Sequence, residues 1–323
     1  MTAVPDLQPD RRHLSIVPEI PLPGVCDDLL EQSREYARHS QADETKRAYA
    51  HDWATFEAFC AERGFLALPA TPDAVDMYLV KRAAEVAPQS LGRALAAISY
   101  VHAQSGFVSP CDSAVVKAKI AGIRRTKKVD VQQAEALSTE RLAAVVNALG
   151  TNLRDARDRA ILLVGWAGAL RRSEIVSINV DDVAFSEHGV TIRLQQTKSS
   201  QDTVVSVDIP KAKNEAVCPV RALRTWLDLA HITEGPVFRG MRKGDHLTDG
   251  RLSDRHVDGI IRRLAGPEYS GHSLRAGWCT AAGRAGALLA DSMRHSRHKS
   301  ERVAIGYQRA GRRWIDHPGA TLL

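Results

Sequence analysis

Six side chains in the second half of this 323-residue sequence could together act on an anion: Arg171, Lys198, His272, Arg275, His298 and Tyr307. Two guanidiniums can each present paired donors to oxygens that carry negative charge. Histidine moves a proton near neutral pH. A tyrosine hydroxyl is an oxygen nucleophile whose ordinary pKa of about 10 falls when cations surround it. Each residue alone has an ordinary reading as well. An arginine after an apolar helix forms a structural ion pair, a lysine in a turn is solvated, a His-x-x-Arg pair occurs by chance, and a tyrosine near a chain end packs.

Charge argues for taking them together. From residue 271 to 323 the chain carries nine Lys and Arg against Asp291, Glu301 and Asp316, an excess equal to the net +6 of the whole protein. The basic excess is local, and a local excess marks where a polyanion would lie. The sequence pI near 9.1 points the same way. With 44% hydrophobic and 25% charged residues the composition is that of a globular protein. No apolar run reaches the eighteen or so residues of a membrane span, and the first residues, MTAVPDLQPDRR, lack the apolar centre of a signal peptide. Five scattered cysteines, Cys26, Cys60, Cys111, Cys218 and Cys279, form no Cys-x-x-Cys. Neither a disulfide framework nor a zinc knuckle is expected, and a reducing cytoplasm is.

The elements that must position the six residues can be read in order. Residues 1–24 hold five prolines and read as a flexible tail. Helices are expected over roughly Cys26 to Arg38 and Asp43 to Arg63. The second has Tyr49, Trp53, Phe56, Phe59 and Cys60 on one face and Gly64 as its stop. Thr71-Pro72 opens a third helix with Val75, Met77, Tyr78, Leu79 and Val80 as its apolar face. Pro88 opens a fourth, with Leu91, Leu95, Ile98 and Val101 inward, and a fifth runs from about Ser113 to Arg124. Residues 25–125 thus form a helical domain, 126–136 a basic linker, and 137–323 a second domain. In that domain Leu137-Ser138-Thr139-Glu140-Arg141 caps a helix. Another helix starts near Leu153, is apolar all round over its second half, and delivers Arg171 to its end. Val190, Ile192 and Leu194 alternate with polar residues, as do Val205, Val207 and Ile209, predicting a hairpin with Lys198 near its tip. From Pro219 on the chain reads as helical. The fold class is mainly α with a small antiparallel β-sheet, α+β. Gly311 is placed at the end of the helix that carries Tyr307.

Assembled in this order, the residues resemble the tyrosine site-specific recombinases, the phage integrase family. Gly168-Ala169-Leu170-Arg171-Arg172-Ser173-Glu174 is similar to the family's first arginine box, Thr197-Lys198 to its hairpin lysine, and His272-Ser273-Leu274-Arg275 to its His-x-x-Arg box. His298 lies nine residues before Tyr307, the interval between the family's third-box histidine and its nucleophile. The resemblance spans residues 25–323. Three departures stand out. Ala169 occupies a position usually held by glycine, Arg172 doubles the arginine of the first box, and Arg294-His295-Ser296-Arg297-His298 replaces the common Leu-Gly-His.

The resemblance implies a DNA strand cleavage and rejoining enzyme. Tyr307 would form a 3′-phosphotyrosyl bond, and two successive exchanges would pass through a four-way Holliday junction. Arg171 and Arg275 would hold the non-bridging oxygens, His272 and His298 would donate to the phosphate or move a proton, and Lys198 would protonate the leaving 5′ oxygen. Glu174 would orient an arginine or histidine from behind. No metal and no cofactor are called for. The implied partner is double-stranded DNA, engaged by a homotetramer on two duplexes that is a monomer when free. Arg47, Arg93, Arg124, Arg125, Lys127 and Lys128 are the candidate phosphate contacts of the helical domain and linker. A type IB topoisomerase, a non-enzymatic DNA-binding regulator and a metal-dependent hydrolase using His272, His295 and His298 are the competing readings. The end of the chain, with Trp314, Ile315, Leu322 and Leu323, would pack on a neighbouring subunit.

Overall fold

The computed structural model describes residues 43–127, 135–195 and 204–313, with Ile315 and Gly319 beyond them. The helix expected over Cys26 to Arg38, and Lys128, Lys198, Trp314, Leu322 and Leu323, lie outside the described residues. The chain divides into two compact units, Met1–Val131 and Gln132–Leu323.

The described part of the first unit consists of helices α1 (Asp43–Arg63), α2 (Pro72–Glu85), α3 (Pro88–Gln104) and α4 (Ala114–Thr126). Local sequence sets their ends. Gly64 takes a left-handed φ of 72° after α1. The Thr71 hydroxyl accepts from the Ala74 amide at 3.2 Å, and Pro72 supplies the first turn of α2. Trp53, Phe56, Tyr78, Leu79, Leu91, Ile98 and Val116 make the core. Met77 and Val80, expected on the buried face of α2, are 53% and 54% exposed. A 3.6-residue period that buries Val75, Tyr78 and Leu79 turns those two outward. Arg124 and Arg125 form the last turn of α4, which runs through Thr126.

The second unit is built on α6 (Leu153–Ala167), in which Ala156, Arg157, Asp158 and the run from Ala160 to Gly165 are buried. It is preceded by α5 (Thr139–Asn147) and followed by α7 (Arg172–Ser177), α8 (Pro219–Leu229), α9 (Asp254–Ala265), α10 (Gly271–Arg284), α11 (Leu289–Ser296) and α12 (Glu301–Arg312). Strands β1 (Val183–Phe185), β2 (Gly189–Gln195) and β3 (Val204–Pro210) form an antiparallel sheet in that order, with Val190 opposite Ile209 and Ile192 opposite Val207. The period of two sends Val190, Ile192, Leu194, Val207 and Ile209 into the core. A second hairpin, β4 (Arg239–Met241) with β5 (Leu247–Arg251), interrupts the region expected to be helical after Pro219. Its turn carries Gly244 and Asp245 at φ 83° and 58°. The strands are too short and too polar to announce themselves by alternation.

Candidate active site

The site begins where α6 stops. Gly168 closes the helix by donating to the Val164 carbonyl at 2.9 Å, and Ala169 turns into the left-handed region at φ 46°. That conformation suits glycine, and a Cβ there costs about 1–2 kcal/mol. The Ala169 carbonyl accepts Arg275 Nη1 and Arg297 Nη2, each at 2.9 Å. Two residues on, Arg171 caps α7 with extended backbone. Glu174 accepts from the Arg171 amide at 2.9 Å and from its guanidinium. Its other partner is Arg297 Nη2 at 2.9 Å. Burial alone would raise the Glu174 pKa, but Arg297, then Arg171, reverse this and hold the carboxyl below its ordinary value. Glu174 thus joins two arginines. The doubled arginine separates cleanly. Arg172 turns to Asp258, and to Asp254 at 3.4 Å, leaving Arg171 with the candidate residues.

Helix α10 carries His272 and Arg275 one turn apart. Ser270 caps it, and the Gly271 amide donates to Asp258 Oδ1 at 2.6 Å. Arg172 and Asp258 therefore tie the first turn of α10 to that of α7. The Arg275 side chain is buried, the residue being 1% exposed. Its Nε donates to His298 Nε2 at 3.3 Å and its Nη1 to Ala169. Among the described residues no acceptor serves its Nη2. Burial, then Arg171 and Arg297, pull its pKa down to about 10. A buried guanidinium with an unused donor costs about 1–3 kcal/mol, and an anionic oxygen there would relieve it.

His298 follows α11. Ser296 Oγ donates to the Ser292 carbonyl at 2.6 Å, so it must accept from His298 Nδ1–H at 2.7 Å. This fixes the tautomer, and Nε2 is left to accept from Arg275. Burial, then Arg275 and Arg171, lower the His298 pKa to about 4. His295 faces elsewhere, stacked on Trp278 with ring centres 4.2 Å apart and bonded to the Ala167 carbonyl at 2.8 Å. Two of the three histidines considered as metal ligands therefore lie among guanidiniums and the third is spent on packing, a donor set that repels a cation.

Tyr307 sits on α12, its hydroxyl 2.8 Å from His272 Nε2 and its ring 5.6 Å from that of His298. The expected fall of its pKa is reversed. Burial raises it, Cys279 adds to this, and Arg275 opposes both without winning. His272 is lowered by burial, then by Arg275 and Arg171, so it stands neutral beside a protonated phenol. Gly311 is also corrected. It lies inside α12, which runs to Arg312, and a Cβ on it would come within 2.2 Å of the Thr280 carbonyl. Gly283 likewise faces the Gln308 Cα at 2.8 Å. These two glycines let α10 and α12 approach closely enough for His272 to meet Tyr307.

The structure thus brings together Arg171, Glu174, His272, Arg275, His298 and Tyr307. Strands β2 and β3 pair as the hairpin predicted, while Lys198 lies between them, outside the described residues. Arg47 is exposed on α1, and Arg124 and Arg125 are exposed on α4. The fork of Arg93 grips Asp52 through bonds of 2.6 and 3.1 Å. Sequence reasoning missed Arg297, Asp258 and Ser296. Only Arg297 left a signal, as a large cation in a motif that usually holds glycine.

Comparison with known proteins shows the family and the fold. Residues 135–311 match the family model described as the phage integrase family. An integrase/recombinase XerD homolog from Selenomonas ruminantium is 34% identical over 300 residues, covering 90% of this chain and 88% of that one. Among solved structures, the Tn1549 transposon integrase in complex with transposon right end DNA superposes with a TM-score of 0.55 at 12% identity, over 77% of this chain and 85% of that one. The XerH recombinase in its post-cleavage complex with a palindromic difH substrate gives 0.51 at 15% identity, over 78% and 71%.

Proposed function

The chain belongs to the phage integrase family, and from that premise we propose how its residues cut and rejoin DNA. It is a tyrosine recombinase, a site-specific enzyme that breaks and reseals strands through a 3′-phosphotyrosyl bond and a Holliday junction. The observation that carries the residue assignment is the hydrogen bond of 2.8 Å between His272 and Tyr307, set beside the buried Arg275.

The scissile phosphate lies against Arg171 and Arg275, with the unused Arg275 Nη2 on a non-bridging oxygen. His272 takes the phenolic proton as the Tyr307 oxygen attacks phosphorus. The bond from phosphorus to the 5′ oxygen breaks, and the departing oxygen takes a proton from Lys198, the role the family gives that hairpin lysine. Charge that builds on the non-bridging oxygens is met by guanidiniums already in place, which is where such sites gain most of their rate. A 5′ hydroxyl from a partner duplex then attacks the phosphotyrosine and frees Tyr307. The bond energy is kept in the ester, so neither cofactor nor metal is needed. Residues 25–125 act as a DNA clamp, 126–136 as a linker along phosphates, and 137–323 as the catalytic domain. Monomers assemble as a tetramer on two duplexes, in the cytoplasm. Among the described residues no helix is long and apolar enough to cross a membrane.

The test is covalent capture on a nicked suicide duplex carrying the sequence that the protein selects from randomised DNA. Wild type should become linked at a 3′ phosphate. Tyr307→Phe should bind the duplex as well and give no adduct; an adduct from that variant would remove Tyr307 as nucleophile.

A further inference from the structure

Arg297 is a residue that the reaction scheme does not use, yet its guanidinium joins several parts of the site. It stands where the family's Leu-Gly-His has its glycine, and it keeps a glycine-like backbone, φ 57° and ψ 39°. Its amide donates to the Arg294 carbonyl, and the next amide, that of His298, donates to the Met293 carbonyl at 3.1 Å, so the turn that ends α11 also sets the backbone of His298. A non-glycine residue in this region costs about 1–2 kcal/mol. Something must offset that cost, and the side chain shows what. The Arg297 side chain is 7% exposed, and its Nη1 donates to the Gly168 and His295 carbonyls at 3.2 and 2.6 Å. Its Nη2 donates to the Ala169 carbonyl and to Glu174 Oε2, each at 2.9 Å. Among the described residues, no other side chain in the site touches both the turn that leads to Arg171 and the carboxylate that holds Arg171.

The two departures at family glycines therefore belong together. Ala169 and Arg297 both adopt left-handed backbone, and the carbonyl of the first is bound by the guanidinium of the second. That same carbonyl receives Arg275 Nη1. One oxygen thus fixes two guanidiniums relative to the start of α7, and Glu174 closes the loop back to Arg171. The Nη donors of Arg297 are occupied by protein acceptors, and only its buried Nε lacks an acceptor among the described residues. It acts through its neighbours.

We propose that Arg297 is a positioning residue for strand cleavage. It joins the turn Gly168-Ala169 to Glu174 and so aims Arg171 and Arg275 at the scissile phosphate, doing with a side chain what a glycine at this position cannot. The inference rests on the recombinase reading above, but concerns a residue outside its reaction steps.

The test uses the full chain with Arg297→Gly, which the backbone at φ 57° accepts without strain, and Arg297→Lys, which keeps a charge for Glu174 but loses the fork. Cleavage is followed in single turnover on two selected suicide duplexes, one with the natural phosphate and one with an uncharged methylphosphonate at the scissile position. Half-site binding is followed by gel shift. On the phosphate duplex Arg297→Gly should cleave about a hundredfold more slowly, the loss expected when reacting groups are held about 1 Å out of place, with binding changed by less than about threefold. Arg297→Lys should fall between it and wild type. On the methylphosphonate, where less negative charge needs to be met, the deficit of Arg297→Gly should shrink to less than about fivefold. A merely structural role would slow both duplexes equally. Equal slowing, wild-type cleavage by Arg297→Gly, or loss of binding in step with cleavage each overturns the proposal. The underlying reading is checked separately by the wild-type adduct and its absence in Tyr307→Phe. If wild type forms no adduct both fall, whereas a cleaving wild type with an unaffected Arg297→Gly removes only this one.

Discussion

Tyr307 is harder to ionise here than in water, because burial outweighs the one arginine that opposes it. On the proposed reading the nucleophile therefore needs a base, and His272 at 2.8 Å is placed to serve as one. Burial, Arg275 and Arg171 hold the His272 pKa below its ordinary value, so the ring is neutral at pH 7 and loses its function only when acid protonates it. Cleavage by wild type should be flat from about pH 7 to 9 and fall only below the ordinary histidine value of about 6.5. His272→Ala should lose about a hundredfold or more at pH 7 and regain rate steadily as pH rises, because phenolate must then form unaided. A flat profile in His272→Ala would hand the base role to another group. His298 makes a second, opposite statement. Its pKa near 4 reflects burial, then the positive charges of Arg275 and Arg171. A phosphate placed between those charges lifts the pKa, so DNA binding near pH 6 takes up a proton and weakens as pH rises. Calorimetry in buffers of different ionisation enthalpy should show that uptake in wild type and its loss in His298→Asn; unchanged uptake in the variant would place the proton elsewhere. The identities and order of these residues were legible in the sequence because motifs are linear. Their pKa values were not, since burial and the direction of each guanidinium are tertiary facts. The raised Tyr307 is the clearest case.

At the scale of elements, Tyr307 reaches His272 only because α12 lies tight against α10. Gly311 and Gly283 make that approach possible, with the Thr280 carbonyl 2.2 Å and the Gln308 Cα 2.8 Å from where side chains would begin. Gly311→Val cannot be absorbed by a rotamer change, since the clash is with backbone. It should displace α12 and lower single-turnover cleavage about tenfold to a hundredfold, while half-site binding stays near wild type. Because α12 is the last described helix, the rest of the second unit should keep its thermal transition within a few degrees. Cleavage at the wild-type rate would mean that the contact yields without moving Tyr307. Sequence periodicity located α1 to α4 and the hairpin of β2 and β3, because a helix or strand buried on one face writes its period into the chain. It misassigned Met77 and Val80, where an apolar run was wider than the face it buries. It missed β4 and β5, whose pairing is held by a turn and not by a pattern. Gly311 was read as a stop because a glycine needed for close approach looks, in one dimension, like any other glycine.

Across the whole molecule, the net charge of +6 is matched by the excess after residue 271, yet Arg124, Arg125 and Lys127 add a second basic cluster at the end of α4, continued by Lys128. If this cluster lies along phosphates when the two units engage DNA, each contact releases counterions. The slope of log affinity against log salt then falls by about 0.9 for every contact removed. Neutralising all four with glutamine should flatten the slope by up to about 3.6 while leaving cleavage of already bound duplex unaffected. Arg93 offers the contrast that makes the experiment informative. It too was a candidate phosphate contact, but both arms of its fork are on Asp52, a carboxylate whose side chain is 7% exposed. Removing Arg93 strands that carboxylate, at a cost of about 1–3 kcal/mol. Arg93→Ala should therefore lower the melting temperature of the protein and change the salt slope little, whereas the fourfold variant should do the reverse. Filter binding from low to high salt, with melting curves on the same samples, separates the two. A fourfold variant with the wild-type slope would return Arg124, Arg125, Lys127 and Lys128 to solvent, and an Arg93→Ala protein with unchanged stability and a flatter slope would move Arg93 onto the DNA.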